Sequence, residues 1–76
     1  MKSTESTMMI TGRYLGETAK AVRFAVHQVN GEHLLTPQSE WFPFSQIERS
    51  CIDPEGTEAT DYLIISEWIA KQKDLL

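Results

Sequence analysis

The side chains in this chain best suited to chemistry are two histidines, His27 and His33, and a single cysteine, Cys51. A zinc site needs three or four such ligands converging, usually announced by C-x-x-C or H-x-x-x-H spacing. Neither spacing occurs. His27 and His33 flank Asn30-Gly31, the favoured pair for a two-residue type I′ turn. In such a hairpin Val29 faces Glu32, Gln28 faces His33 and His27 faces Leu34. Alternation then sends the two imidazoles to opposite faces of the sheet. Neither a metal site nor a cofactor is expected.

Nucleophilic catalysis would need Cys51 or a serine beside a base. Cys51 lies in Ser50-Cys51-Ile52, near Ile47, and reads as a small buried hydrophobe rather than a reactive thiolate. No G-x-S-x-G or P-loop spacing exists, and the four glycines are scattered. Asp53, Glu55, Glu58 and Asp61 read as a solvated acidic loop. The stretch lacks the sixth-position glycine and twelfth-position glutamate of a calcium loop. With little room for a pocket of ordinary volume, the chain is not expected to be an enzyme.

The other unusual stretch is EWFPFSQIE, residues 40–48, with three large aromatics bracketed by glutamates. Exposed rings could stack on the bases of a single strand, at ~1–3 kcal/mol each, with Arg13, Lys20 and Arg23 along the backbone track. Buried rings would each stabilise the core by ~1.5–3 kcal/mol. Phe42 and Phe44 are expected in the core. Alternation puts Trp41 on the face opposite Phe42, which leaves it open to a ligand or partner. Trp68, early in a C-terminal helix, is expected to pack.

Composition bounds these readings. The 76 residues are 41% hydrophobic and 24% charged, which suits one small folded domain. Such a chain buries only about 60–65% of its unfolded surface and is marginally stable. A lone cysteine forms no internal disulfide, which favours a reducing, cytoplasmic setting. MKSTESTMMITG has no apolar run of signal-peptide type, and no stretch approaches the ~20 apolar residues of a membrane span. The net charge is −4, all of it in residues 50–76, since residues 1–49 carry five basic and five acidic side chains. Duplex DNA, which rewards phosphate neutralisation, is not an expected partner.

The elements that must position these residues follow from pattern. Residues 1–7 read as a polar tail, and 8–76 as a single β-rich domain. MMITGRYL (8–15) is a first strand, with Gly12 allowing a bulge. A turn follows at Gly16-Glu17-Thr18. KAVRFAVHQV (20–29) alternates, with Val22, Phe24 and Val26 on one face, and should pair with 32–36 across Asn30-Gly31. Pro37 interrupts the return strand and 37–40 make an excursion. Residues 41–44 resume as an edge or bulged strand, because Pro43 cannot donate to a ladder. Ser45–Glu48 form a helical turn or a corner. Tyr62–Ile65 is a short apolar strand. Ser66 caps a helix over 67–75, whose Trp68, Ile69, Gln72, Leu75 and Leu76 share one side. The sum is an α+β, mainly β domain: about five short antiparallel strands in a bent sheet or small open barrel, closed by one C-terminal helix.

Several short motifs carry a resemblance: E-T-x-K-A-V (17–22), N-G-E (30–32), W-F-P-F-S-Q-I-E (41–48) and S-E-W-I-A-K-Q-K-D-L-L (66–76). Together they resemble a group of small phage and prophage proteins with a Glu-Thr-x-x-Ala strand, a Trp-hydrophobic-Pro-x-Ser-Gln segment and a closing Trp-hydrophobic-Ala helix. This chain departs from that pattern by inserting LLTPQS before Trp41 and by placing Phe44 where the group tends to carry lysine. The resemblance implies a phage or bacterial cytoplasmic setting and transfers no site residues.

The leading expectation is a non-enzymatic interaction module that binds a protein or itself, given the edge-strand signals at Pro37 and Pro43. A second is single-stranded nucleic-acid binding through Trp41, Arg13, Lys20 and Arg23. A third is an acidic mimic of nucleic acid built on Asp53, Glu55, Glu58 and Asp61.

Overall fold

A computed structural model describes residues 6–53 and 61–75. Its strands are β1 (Thr7–Glu17), β2 (Ala21–Val29), β3 (Glu32–Pro43), β4 (Ile47–Cys51) and β5 (Asp61–Ser66), followed by α1 (Glu67–Gln72). One turn of 3-10 helix, Phe44–Gln46, joins β3 to β4. All neighbours pair antiparallel in one open five-stranded sheet, in the order β3-β2-β1-β5-β4.

That order places β3 and β4 at opposite edges, yet only three residues separate them. In a flat sheet the two edges would lie four strand spacings apart, about 19 Å. The link from Pro43 to Ile47 reaches only about 14 Å fully extended. The sheet must therefore curl, although its edges do not pair. The bend lies along the β1–β2 ladder, where β2 carries the extra residue His27 and β1 the extra residue Leu15, and β1 serves two half-sheets. Thr7–Gly12 pair with β5, Ile10–Glu17 pair with β2, and the β2 ladder shifts register at Thr11/Gly12 and again at Tyr14/Gly16. Bulges of this kind bend a strand and increase its twist.

Gly12 sits at the first of these corners. A Cβ built there would lie 1.8 Å from the carbonyl oxygen of Ala25, so no side chain fits. The concave side holds the core: Met8 and Ile10 of β1, Val22, Phe24 and Val26 of β2, Phe42 of β3, and Leu63 and Ile65 of β5. Ile69, Ala70 and Leu75 pack onto it from the C-terminal segment. Ser66 Oγ caps α1 by accepting from the Ile69 N–H at 3.2 Å, and donates to Gln46 Oε1 at 2.6 Å. The far end of the segment reaches β3. There Gln38 Nε2 donates to the Lys73 carbonyl at 2.9 Å, and Lys73 Nζ lies 3.9 Å from Glu40 Oε1. A six-residue helix thus straps β5 to the opposite side of the sheet.

The expected hairpin is present, with Val29 opposite Glu32, Gln28 opposite His33, and positive φ at Asn30 and Gly31. Several details differ. The expected strands 32–36 and 41–44 are one continuous β3, and β4, Ile47–Cys51, is a strand the pattern did not give. The excursion is made by residues 34–37: Gln28 pairs with His33, then Val26 pairs with Gln38. Ser6 and Thr7 belong to the fold, since Thr7 opposes Ser66 and the Glu67 N–H donates to Ser6. Residues 1–5 lie outside the described residues. The turn after β1 falls at 18–20, where Thr18 Oγ accepts the Lys20 and Ala21 N–H groups. The helix ends at Gln72 rather than 75, because Asp74 turns to φ 59° and redirects Leu75 into the core. Ile69 and Ala70 are the helix residues that face the core, which leaves Trp68 on the solvent side; Gln72, expected on the packed side, is exposed as well.

Replacing Gly12 with Ala should cost about 3 kcal/mol or more, the upper end for overpacking, because the clash is with backbone. A urea titration followed by circular dichroism checks this. An unchanged midpoint would show that the corner is not under this constraint.

Candidate functional site

Alternation along β2 sends Val22, Phe24 and Val26 inward and Ala21, Arg23 and Ala25 outward. On β3, Phe42 is inward and Trp41 outward; Phe42 is fully buried while Trp41 is 44% exposed. The ladders then fix the neighbours on the outer face. Trp41 opposes Arg23, which opposes Gly16 of β1, and Ser39 opposes Ala25, which opposes Arg13. The Phe44 N–H donates to the Lys20 carbonyl, so Phe42 and Phe44 direct their backbone groups toward β2 and Trp41 directs its own away. Trp41 and Arg23 are therefore a non-hydrogen-bonded pair, the kind whose side chains approach most closely. A guanidinium placed so can stack on an indole face.

Sheet geometry thus brings together Trp41, Arg23 and Arg13, which the chain separates widely, with the exposed Lys20 at the same end in the turn before β2. Glutamates near them point elsewhere. Glu40 lies on the inward side beside Gln38 and Lys73. Glu17 Oε1 accepts from the Tyr14 hydroxyl at 3.2 Å. Partial burial, and then the Glu17 carboxylate, hold the Tyr14 phenol above its usual pKa.

The acidic group divides. Asp61 is only 6% exposed and belongs to the frame of the sheet. Its Oδ2 accepts the Tyr14 N–H at 2.9 Å and its Oδ1 accepts the Asp53 N–H at 2.8 Å. Gly12–Asp61 and Cys51–Tyr62 are the last pairs of the two ladders that meet there. The carboxylate supplies two acceptors where the described part of β5 begins. Asp53 is exposed, while Glu55 and Glu58 lie outside the described residues.

His27 does not face Leu34; both ladders of β2 skip it, so it is a bulged residue. Among the described residues no group of three or more His, Cys, Asp or Glu side chains could hold a metal ion. Cys51, expected inside, is exposed on the edge strand β4. Phe44, also expected inside, is 40% exposed and lines the rim of a crevice of about 60 Å³ with Tyr14, Val22 and Ile47. That volume holds little more than one or two waters.

Three residues do more in the structure than their sequence context shows. Asp61 and Ser66 looked like loop acid and simple cap. Asn30 does more than turn the hairpin: its Oδ1 accepts the Met9 N–H at 3.1 Å and its own N–H donates to the Met9 carbonyl. Among the described residues no helix is long and apolar enough to cross a membrane. No protein-family model, curated protein or solved structure matches the chain.

Replacing Asp61 with Asn should lower stability by about 2 kcal/mol, since an amide Nδ2 cannot accept from a backbone N–H and one buried donor loses its partner. Chemical denaturation measures this, and an unchanged free energy would remove Asp61 from the frame.

Proposed function

We propose that this chain is a small non-enzymatic interaction domain of phage or prophage type, binding a protein partner or a second copy of itself through the outer face and free edge around Trp41. The observation that carries the reading is the placement of Trp41. A small core gains from every large ring, yet this one stands outward on the edge strand beside Arg23. Aromatic and arginine side chains are those most often found as anchors of binding surfaces. Replacing Trp41 with Ala should cost only about 1 kcal/mol of stability, the scale of one exposed cross-strand pair, while abolishing partner capture or self-association. Equal capture by wild type and variant would refute the reading.

A second reading is favoured by the basic residues. Arg23 and Arg13 share the outer face with Trp41, and Lys20 lies at its end. A ring flanked by cations is the arrangement that stacks a base and holds its phosphate. Labelled single-stranded DNA and RNA should then bind in low salt with quenching of tryptophan fluorescence, and Arg23→Glu should eliminate the signal. Absence of any anisotropy change in low salt discards this reading. The acidic-mimic idea has less support, because Asp61 is withdrawn from the surface.

A further inference from the structure

β3 is the outermost strand on its side, and among the described residues no strand lies beyond it. Its outward-facing backbone groups follow from one hydrogen bond. The Phe44 N–H points to β2, so the even positions 38, 40 and 42 do likewise, and 39, 41 and 43 face away. Position 43 is proline, and another proline, Pro37, ends the excursion just before the regular pairing resumes at Gln38. Neither has an N–H to leave unpaired. The prolines cost β2–β3 nothing and close off the free edge at both ends, as edge strands that avoid open-ended pairing do. Between them a window remains: the N–H and carbonyl groups of Ser39 and Trp41.

We infer that two copies of this chain pair antiparallel through β3, about a two-fold axis at Trp41. This rests on the reading of the chain as an interaction domain and names its partner. Trp41 of one copy exchanges both backbone bonds with Trp41 of the other, and each Ser39 N–H donates to the opposite Pro43 carbonyl. The pairing makes four hydrogen bonds and asks nothing of the missing proline N–H groups. It also sets the two indoles side by side on the outer face, a favoured cross-strand combination. The competing register, centred on Glu40, makes as many bonds but sets two carboxylates directly opposite each other, which is repulsive. In the Trp41 register each Glu40 faces Phe42 of the other copy. The window is short and flanked by prolines, so the pair closes as a dimer and does not propagate.

Sedimentation equilibrium over a range reaching about 1 mM, the weak end of association, tests this. The wild type should show a monomer–dimer equilibrium. Ser39→Pro removes only outward N–H groups, so it should leave the circular dichroism spectrum intact and weaken the dimer roughly thirtyfold, by two of four bonds. Glu40→Gln should leave dimerisation unchanged in the Trp41 register; stronger association, most marked at low salt, would mean that Glu40 faces Glu40 and would overturn the assignment. A wild type that stays monomeric at the highest concentration overturns the pairing itself. Loss of capture of a different protein on Trp41→Ala would then still support the broader binding reading, so the two can fail separately.

Discussion

Everything in this molecule depends on how closely β1 and β2 approach at Gly12. The Ala25 carbonyl occupies the space where any side chain would begin. This approach goes with the His27 bulge of β2 opposite Gly12, and the bend there lets β1 feed two half-sheets. Without it the three-residue link at Phe44–Gln46 could not join strands on opposite edges, and the concave side would not enclose Phe24 and Phe42. Each of those buried rings stabilises the fold by ~1.5–3 kcal/mol. Their burial follows from a backbone contact some distance away.

A curled sheet with one short strap has an inside and an outside of very different character. Inside are the aliphatic and phenylalanine side chains, and among the described residues no buried side-chain polar atom lacks a partner. Outside, the same alternation that buries Val22, Phe24 and Val26 presents Arg23 next to Trp41. The chain is acidic as a whole, but charge averaged over a sequence does not describe a face. Glu17 and Glu40 are engaged by Tyr14 and by Gln38 with Lys73, away from the arginines.

Much of the fold was legible. Asn30-Gly31 between two alternating runs specified the hairpin and its first two pairs, and Ser66 was readable as the N-cap of the C-terminal helix. What failed were features that depend on tertiary context. The bulge at His27 had a faint signal, since Val26 and Val29 are spaced oddly for one face, but strict alternation was assumed across it. Large rings usually lie inside, yet Phe44 sits on an exposed 3-10 turn and Trp68 on a helix whose core face is Ile69 and Ala70. Asp61 resembled its acidic neighbours in sequence, and only the ends of two ladders distinguish it. In the candidate site, the outward position of Trp41 could be read from alternation, whereas its pairing with Arg23 could not, because the excursion at residues 34–37 sets the register.

The position of β5 has a kinetic consequence. β2 and β3 can zip together as soon as their turn forms, but β1 gains its second neighbour only when Thr11 meets Tyr62, 51 positions further on. Closing so large a loop is slow compared with forming a hairpin. A nascent chain emerging from the ribosome would expose the greasy side of its early ribbon until the closing strand arrives, and solubility during synthesis rests on how quickly that last piece docks.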